Sequence, residues 1–204
     1  MDQLLFFPYN GNAREGADCL SARQRLLGFI DDDTAKQGKK NGHRVFSREA
    51  LRRYPNAAIV AVPGSPDTYL ERKKIIESLG VPASRFATVI HPGAFVSKSA
   101  RLGRNVLVMA GVVIGPNVRL GDHVCLLPNS VIHHESEVGD FTLIGSNVTV
   151  AGRVRVGENC YIGSGSSILQ DVQIKKRTMV GMASNVIRSV PAESKVAGNP
   201  ARPL

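Results

Sequence analysis

From Ile90 to Val186 every sixth residue is Ile, Leu or Val, without a break. A second series rides four places behind it, small or β-branched throughout, from Ala94 and Ala100 to Ser184 and Val190. Gly often follows the aliphatic position, as at Gly103, Gly121, Gly145 and Gly163. A period of six does not suit an α-helix, whose faces repeat every 3.6 residues or so. It suits a short strand and a tight corner. The aliphatic residue and the small residue two places before it share a face, as strand alternation requires. Gly, Asn and Asp at the corners supply backbone freedom. Three hexads close a triangular coil, and stacked coils make a parallel β-helix. With strands about 4.8 Å apart, five to six coils give a prism roughly 25–28 Å long.

The beat is absent before about Phe86, where short apolar runs alternate with helix-like stretches. Residues 4–7, 25–30 and 57–62 read as strands, the last buried on both faces. Residues 47–53 can form a short helix. Residues 65–79 predict a longer one, with Ser65 as cap, Pro66 in the first turn and Gly80 as stop. This alternation predicts a small Rossmann-like α/β domain over residues 1–85, followed by the all-β helix over 86–190 and a tail over 191–204. Ligands of such α/β sheets bind beyond the carboxyl ends of the strands. Those ends carry Pro8 to Asn12, Asp31 and Asp32, and Pro63 and Gly64. No GxGxxG fingerprint is present, and ordinary turns account for these residues equally well.

The 204 residues carry a net charge of +9. The basic residues are scattered, aromatics make up 5%, and no nucleic-acid motif is present. An anionic small ligand fits the charge as well as nucleic acid does. The densest basic run, Lys175 to Arg177, reads as a solvated corner or as a coenzyme phosphate contact. No apolar run approaches the ~18 residues of a membrane span, so no membrane insertion is expected. Three scattered cysteines without a CxxC pair point to a reducing cytoplasm and to no metal-thiolate site. Cys160 falls on a small inward position and reads as core.

Histidine is scarce, and two of the five stand together at His133 and His134, before Glu135. Ile132 points inward, so His133 points outward, and His134 and Glu135 occupy the corner. A histidine with an acid beside it can serve as a general base. An exposed surface pair reads the same way.

The tract Val131-Ile-His-His-Glu-Ser-Glu-Val-Gly-Asp-Phe141 resembles a segment of the hexapeptide sugar acetyltransferases. That family includes the sialic acid O-acetyltransferases and the N-acetyltransferases of UDP-linked 4-amino sugars. Residues 87–94 and the ending Val196-Ala-Gly-Asn-Pro-Ala-Arg202 match as well. The resemblance implies that the β-helix is left-handed and that the protein is a cytoplasmic homotrimer with active sites at subunit interfaces. It also implies acetyl-CoA as acyl donor, without a metal, and a nucleotide-linked 4-amino-dideoxy sugar as acceptor for surface glycan biosynthesis. It puts the catalytic base on His134 and its supporting acid on Glu135. Gly152 would supply an oxyanion-binding amide, and Ser164 and Met182 would line the coenzyme channel. Leu143 stands where relatives carry a coenzyme-contacting histidine. In the N-terminal domain Asn10, Gly11, Asn12, Asp31, Asp32, Pro63 and Gly64 fall where the family holds the nucleotide. The glycine-rich loop there is altered to Tyr9-Asn-Gly-Asn-Ala13.

Other readings stay open at this stage. The catalytic tract does not separate N- from O-acetylation, so sialic acid or another sugar hydroxyl is an alternative acceptor. A γ-type carbonic anhydrase would need three histidines at a metal; His123 and His134 lie in the repeat, but none follows. A non-enzymatic β-helix scaffold is the third possibility.

Overall fold

The computed structural model describes residues 2–204. The N-terminal domain is a five-stranded sheet. Its core is β1 (Asp2–Phe7), with β2 (Gln24–Ile30) on one side and β5 (Ala58–Ala61) on the other, all parallel. Beyond β2 lie β4 (His43–Phe46), parallel to it, and β3 (Gly38–Lys40), antiparallel to β4. The β3–β4 hairpin is absent from the sequence reading, because Gly38-Lys-Lys40 has no apolar alternation.

Three helices complete the domain: α1 (Gly11–Ala17), α2 (Ala50–Arg53) and α3 (Arg72–Glu77). Helix α1 contains Gly11 and Gly16, poor helix formers, so the cap carries its signal. Asn10 Oδ1 accepts the Ala13 N–H at 2.8 Å. The helix predicted over residues 65–79 starts later than expected. Thr68 Oγ1 takes the Ser65 N–H at 3.1 Å and the Thr68 N–H bonds to Ser65 O at 3.2 Å. That closes a turn, so helical structure begins as a 3₁₀ turn over Tyr69–Glu71 and continues into α3.

After Phe86 the chain enters the parallel β-helix that the beat of six predicts, with the left hand that the family resemblance implies. Every strand pairing within residues 89–186 joins residues eighteen apart, such as Val113 with Val131 and Cys125 with Leu143. Three faces result. Face one stacks Val89–Ile90, Leu107–Val108, Cys125–Leu126, Leu143–Ile144, Tyr161–Ile162 and Met179–Val180. Face two runs from Phe95–Val96 to Asn185–Val186, and face three from Arg101–Leu102 to Gln173–Ile174. The two inward series fill the prism. The inward hydroxyls pair with main chain, as Ser130 Oγ does with Gly145 O at 2.6 Å. The first coil closes the prism less fully, and Ile90 there is partly exposed.

From residue 105 to residue 183 each hexad has one residue at positive φ, three places after the aliphatic. Asn and Gly hold many of these left-handed corners at little cost. His123, Glu135, Phe141, Arg153 and Arg177 hold others with φ near 60°. The segment expected as a tail closes the far end instead. Lys195–Ala197 extends face one and pairs antiparallel with Arg202–Pro203, and Val196 enters the core.

The outer residues of the three faces differ, and this sets how the domains meet. Face one presents Val89, Leu107, Cys125, Leu143 and Tyr161, which pack against Leu4, Phe6, Phe29 and Val60. Face three presents Arg101, Arg119, Glu137, Arg155 and Gln173. Burying face three would strand unpaired charge, whereas face one is apolar from Val89 to Tyr161, and the N-terminal domain lies on it.

Candidate active site

His134 and Glu135 form the turn between faces two and three, with both side chains about half exposed. His134 Nδ1 lies 3.6 Å from Glu135 Oε2. The opposite edge of the ring faces Gly152, one coil further on; a Cβ there would lie 2.5 Å from Nε2. Hydrogen bonds from Arg153 N to His134 O (3.0 Å) and from Ala151 N to Ile168 O (3.1 Å) hold this stretch of backbone. Pairing Nδ1 with a carboxylate favours the tautomer that leaves Nε2 its lone pair. The corner thus offers a basic nitrogen toward solvent, beside a main-chain N–H with no partner among the described residues.

Further along the same corner Arg153 makes a bidentate pair with Asp171, at 2.7 and 3.0 Å. The Arg153 guanidinium holds the Asp171 carboxyl below its ordinary value.

The three expected coenzyme contacts other than Gly152 lie elsewhere. Ser164 and Met182 stack at the corner between faces one and two, so a whole face separates them from His134 in a single chain. Met182 is 68% exposed, and Ser164 Oγ accepts the Ser146 N–H at 3.1 Å. Leu143 is corrected: at 2% exposure it is packed beneath the N-terminal domain and has no surface to offer a coenzyme. Its outward position on face one dictates this, since that face is covered. His123 is the other histidine that the metal reading used. It lies at a different corner from His134, stacked on Phe141 with ring centroids 4.6 Å apart and packed edge-on against Phe86.

In the N-terminal domain, the ends of β1, β2 and β5 surround a cavity of about 530 Å³. Asn10, Gly11 and Asn12 line one side, Asp31 and Asp32 a second, and Pro63 and Gly64 a third. The seven predicted positions therefore converge. Phe7, Pro8, Ser65, Thr68 and Ile75 complete the wall; Phe7 reads in sequence as strand, Ser65 as a helix cap, and Thr68 and Ile75 as helix.

The polar groups of the cavity are not equally free. Asp31 is nearly buried, and its carboxylate accepts the N–H groups of Tyr9 and Asp33, both at 2.9 Å, and faces Lys36 at 3.3 Å. Asp32 forms a fork with Arg48, at 2.6 and 2.7 Å. Asn10 caps α1 with its oxygen and donates to Val62 O at 3.2 Å. These three side chains shape the cavity more than they offer unused groups to it. Lys36 and Arg48 join the site as partners of acids; each follows its aspartate by a gap that local motifs do not reveal.

Residues 99–134 and 135–170 match the bacterial transferase hexapeptide (six repeats) family. The chain is 32% identical over 106 residues to UDP-N-acetylbacillosamine N-acetyltransferase of Bacillus subtilis, covering 49% of this chain and 48% of that protein. The match thus spans about half the length of this curated relative. Among solved structures, the acetyltransferase domain of PglB from Neisseria gonorrhoeae superposes with a TM-score of 0.87 at 27% identity, covering 100% of both chains. PerB from Caulobacter crescentus, in complex with CoA and GDP-perosamine, gives a TM-score of 0.86 at 26% identity, covering 100% of this chain and 97% of that one.

Proposed function

We propose that this chain is a sugar acetyltransferase of the hexapeptide-repeat type and transfers the acetyl group of acetyl-CoA to the amine of a nucleotide-linked amino sugar. The observation that carries the reading is the His134 corner: Nδ1 faces Glu135 while Nε2 opens over a glycine. His134 takes the proton as the sugar amine attacks the thioester carbonyl. The Gly152 N–H supports the oxyanion. Collapse breaks the carbon–sulfur bond, and the proton leaves His134 with the coenzyme thiolate. Glu135 orients the ring and stabilises its protonated form. No protein nucleophile takes part.

The N-terminal cavity holds the nucleotide in this scheme, with Gly11, Asn12, Pro63 and Gly64 approaching it most closely. PerB, which shares this fold, was solved with GDP-perosamine, and this supports a nucleotide-linked sugar as the ligand. The active unit is a homotrimer, in which the Ser164–Met182 corner of a second copy meets the His134 corner. The exposed Phe95 (62%) and the partly exposed Val113 on face two favour such packing. No helix among the described residues is long and apolar enough to cross a membrane. We place the protein in the cytoplasm, where its three buried free thiols persist.

The test is incubation of the purified chain with acetyl-CoA and a panel of UDP-, GDP- and dTDP-linked amino sugars. Thiol release and product mass are followed. Acetylation of an amine that survives mild alkali is expected. An alkali-labile ester points to a hydroxyl acceptor, and absence of thiol release above background across the panel sinks the reading.

A further inference from the structure

The largest fully buried side chain among the described residues is a charged one, Arg72, in the seam between the two domains. Arg72 has 0% exposure, and among the described residues no carboxylate pairs with it. Its guanidinium donates to three main-chain carbonyls instead: Nη1 to Pro63 O, Nε to Phe141 O at 2.9 Å and Nη2 to His123 O at 2.7 Å. Burial pushes its pKa down. Buried charges are normally paired, and apolar packing often stabilises a fold as well as a buried ion does. An arginine is uniquely suited to one thing here. Its rigid fork of donors fixes three separate chain segments in one plane.

Two of those segments are corners of the β-helix. The third, Pro63, is the wall of the N-terminal cavity. The next residue, Gly64, has φ +120°, and a Cβ on it would lie 2.8 Å from Cγ and Cδ of Arg72. The loop is thus moulded onto the arginine stem. A second tie holds the strand that leads into it. Asn105, at the first left-handed corner, accepts the Ala61 N–H at 2.8 Å and donates to Ala61 O at 2.7 Å. This side chain imitates a neighbouring strand at the end of β5, two residues before Pro63.

We propose that Arg72, with Asn105, is a positioning residue for the nucleotide-linked substrate. The pair fixes the Pro63–Gly64 wall of the cavity to the β-helix, and so sets how far the sugar of a bound nucleotide reaches toward a His134 corner. The prisms are the rigid parts through which copies would meet, so the same fixation holds against a corner of a second copy. The inference rests on the acetyltransferase reading and adds to it which residues couple its two halves.

The experiment uses the full chain with Arg72→Lys, Arg72→Gln and Asn105→Gly. Glycine removes the amide without straining the left-handed corner. Calorimetric affinity for free UDP and GDP is measured beside affinity for coenzyme A, and KM for nucleotide sugar beside KM for acetyl-CoA. Nucleotide affinity is expected to fall, and nucleotide-sugar KM to rise, by about tenfold, while both coenzyme values stay within about twofold. Lysine reaches one carbonyl at a time, so it should not restore the wild-type values. Folded variants that bind nucleotide as tightly as the wild type overturn this inference alone. Should the Arg72 variants fail to fold, Asn105→Gly decides: unchanged nucleotide affinity there overturns it. A wild-type chain that binds neither nucleotide overturns the functional reading and this inference with it.

Discussion

The imidazole of His134 stands directly over Gly152, so closely that a Cβ at residue 152 would lie 2.5 Å from Nε2 and 2.6 Å from Cε1. Both ends of the glycine are held by inter-coil hydrogen bonds, so the ring must yield if a methyl group is added. Gly152→Ala is therefore expected to turn Nε2 away and to lower kcat by about 10²-fold, the cost of misplacing a reacting group by roughly 1 Å. Thermal stability and UDP or GDP affinity should be little changed, because the cavity lies on another part of the molecule. Steady-state thiol release by the folded variant provides the measurement. Wild-type kcat would show that the ring does not act from this position.

Removing the base itself gives the reference. His134→Ala should cost about 10²–10⁴ in kcat. Glu135→Gln keeps the shape of the partner at 3.6 Å and removes its charge. It should lower kcat by less than the His134 variant does. If the two variants lose equal activity, Glu135 does more than orient and stabilise the ring.

Much of this architecture was legible in the chain because the repeat has one strict rule. An inward aliphatic every six residues fixes the coil, and the eighteen-residue spacing fixes which residues stack. The corner position of His134 follows by counting from Ile132. The docking of the N-terminal domain was legible in part, in a different series that excludes face three. The outward residues 89, 107, 125, 143 and 161 are all apolar, whereas 101, 119, 137, 155 and 173 are all polar. Reading Leu143 in that series, rather than by its distance from the His-Glu tract, puts it under the domain. The corner column Asn105, His123, Phe141 and Asn159 has the same eighteen-residue spacing and carries the seam. Its partners Ala61, Arg72 and Leu70 are far off in sequence and follow no period. Long-range pairing of that kind, and the Asp32–Arg48 fork, depend on tertiary packing that no local pattern encodes.

The three thiols should be inert in the native protein. Cys19, Cys125 and Cys160 are all buried, and burial pushes each pKa up to about 11. The thiolate is the reactive form, so an aromatic disulfide reagent at neutral pH should label none of them until denaturant is added, and then all three. Cys125 lies on face one beneath the N-terminal domain. Rapid native labelling of Cys125 would mean that the domains separate in solution.

The seam also carries a titratable group with a defined sign. Asn105 Oδ1 is occupied by the Ala61 N–H, so its Nδ2, 2.9 Å from His123 Nδ1, donates, and that nitrogen must hold a lone pair. Burial drives the His123 pKa below its ordinary value of 6.5, and the neighbouring Arg72 adds to the effect. Asp122, Asp140 and Glu77 pull in the other direction without reversing it. The unfolded chain therefore binds a proton here before the folded one does. The stability contributed by neutral His123 is complete above about pH 6.5 and is lost as pH falls through the lower folded value. Carboxylates titrate further down, so the comparison must be made against a variant. His123→Asn removes the titration and keeps a residue that tolerates the left-handed corner. Between pH 7 and pH 5, the wild-type Tm should fall more steeply than that of His123→Asn. Parallel Tm profiles would show that His123 is solvated, and that the seam opens more freely than its packing against Phe86 and Phe141 implies.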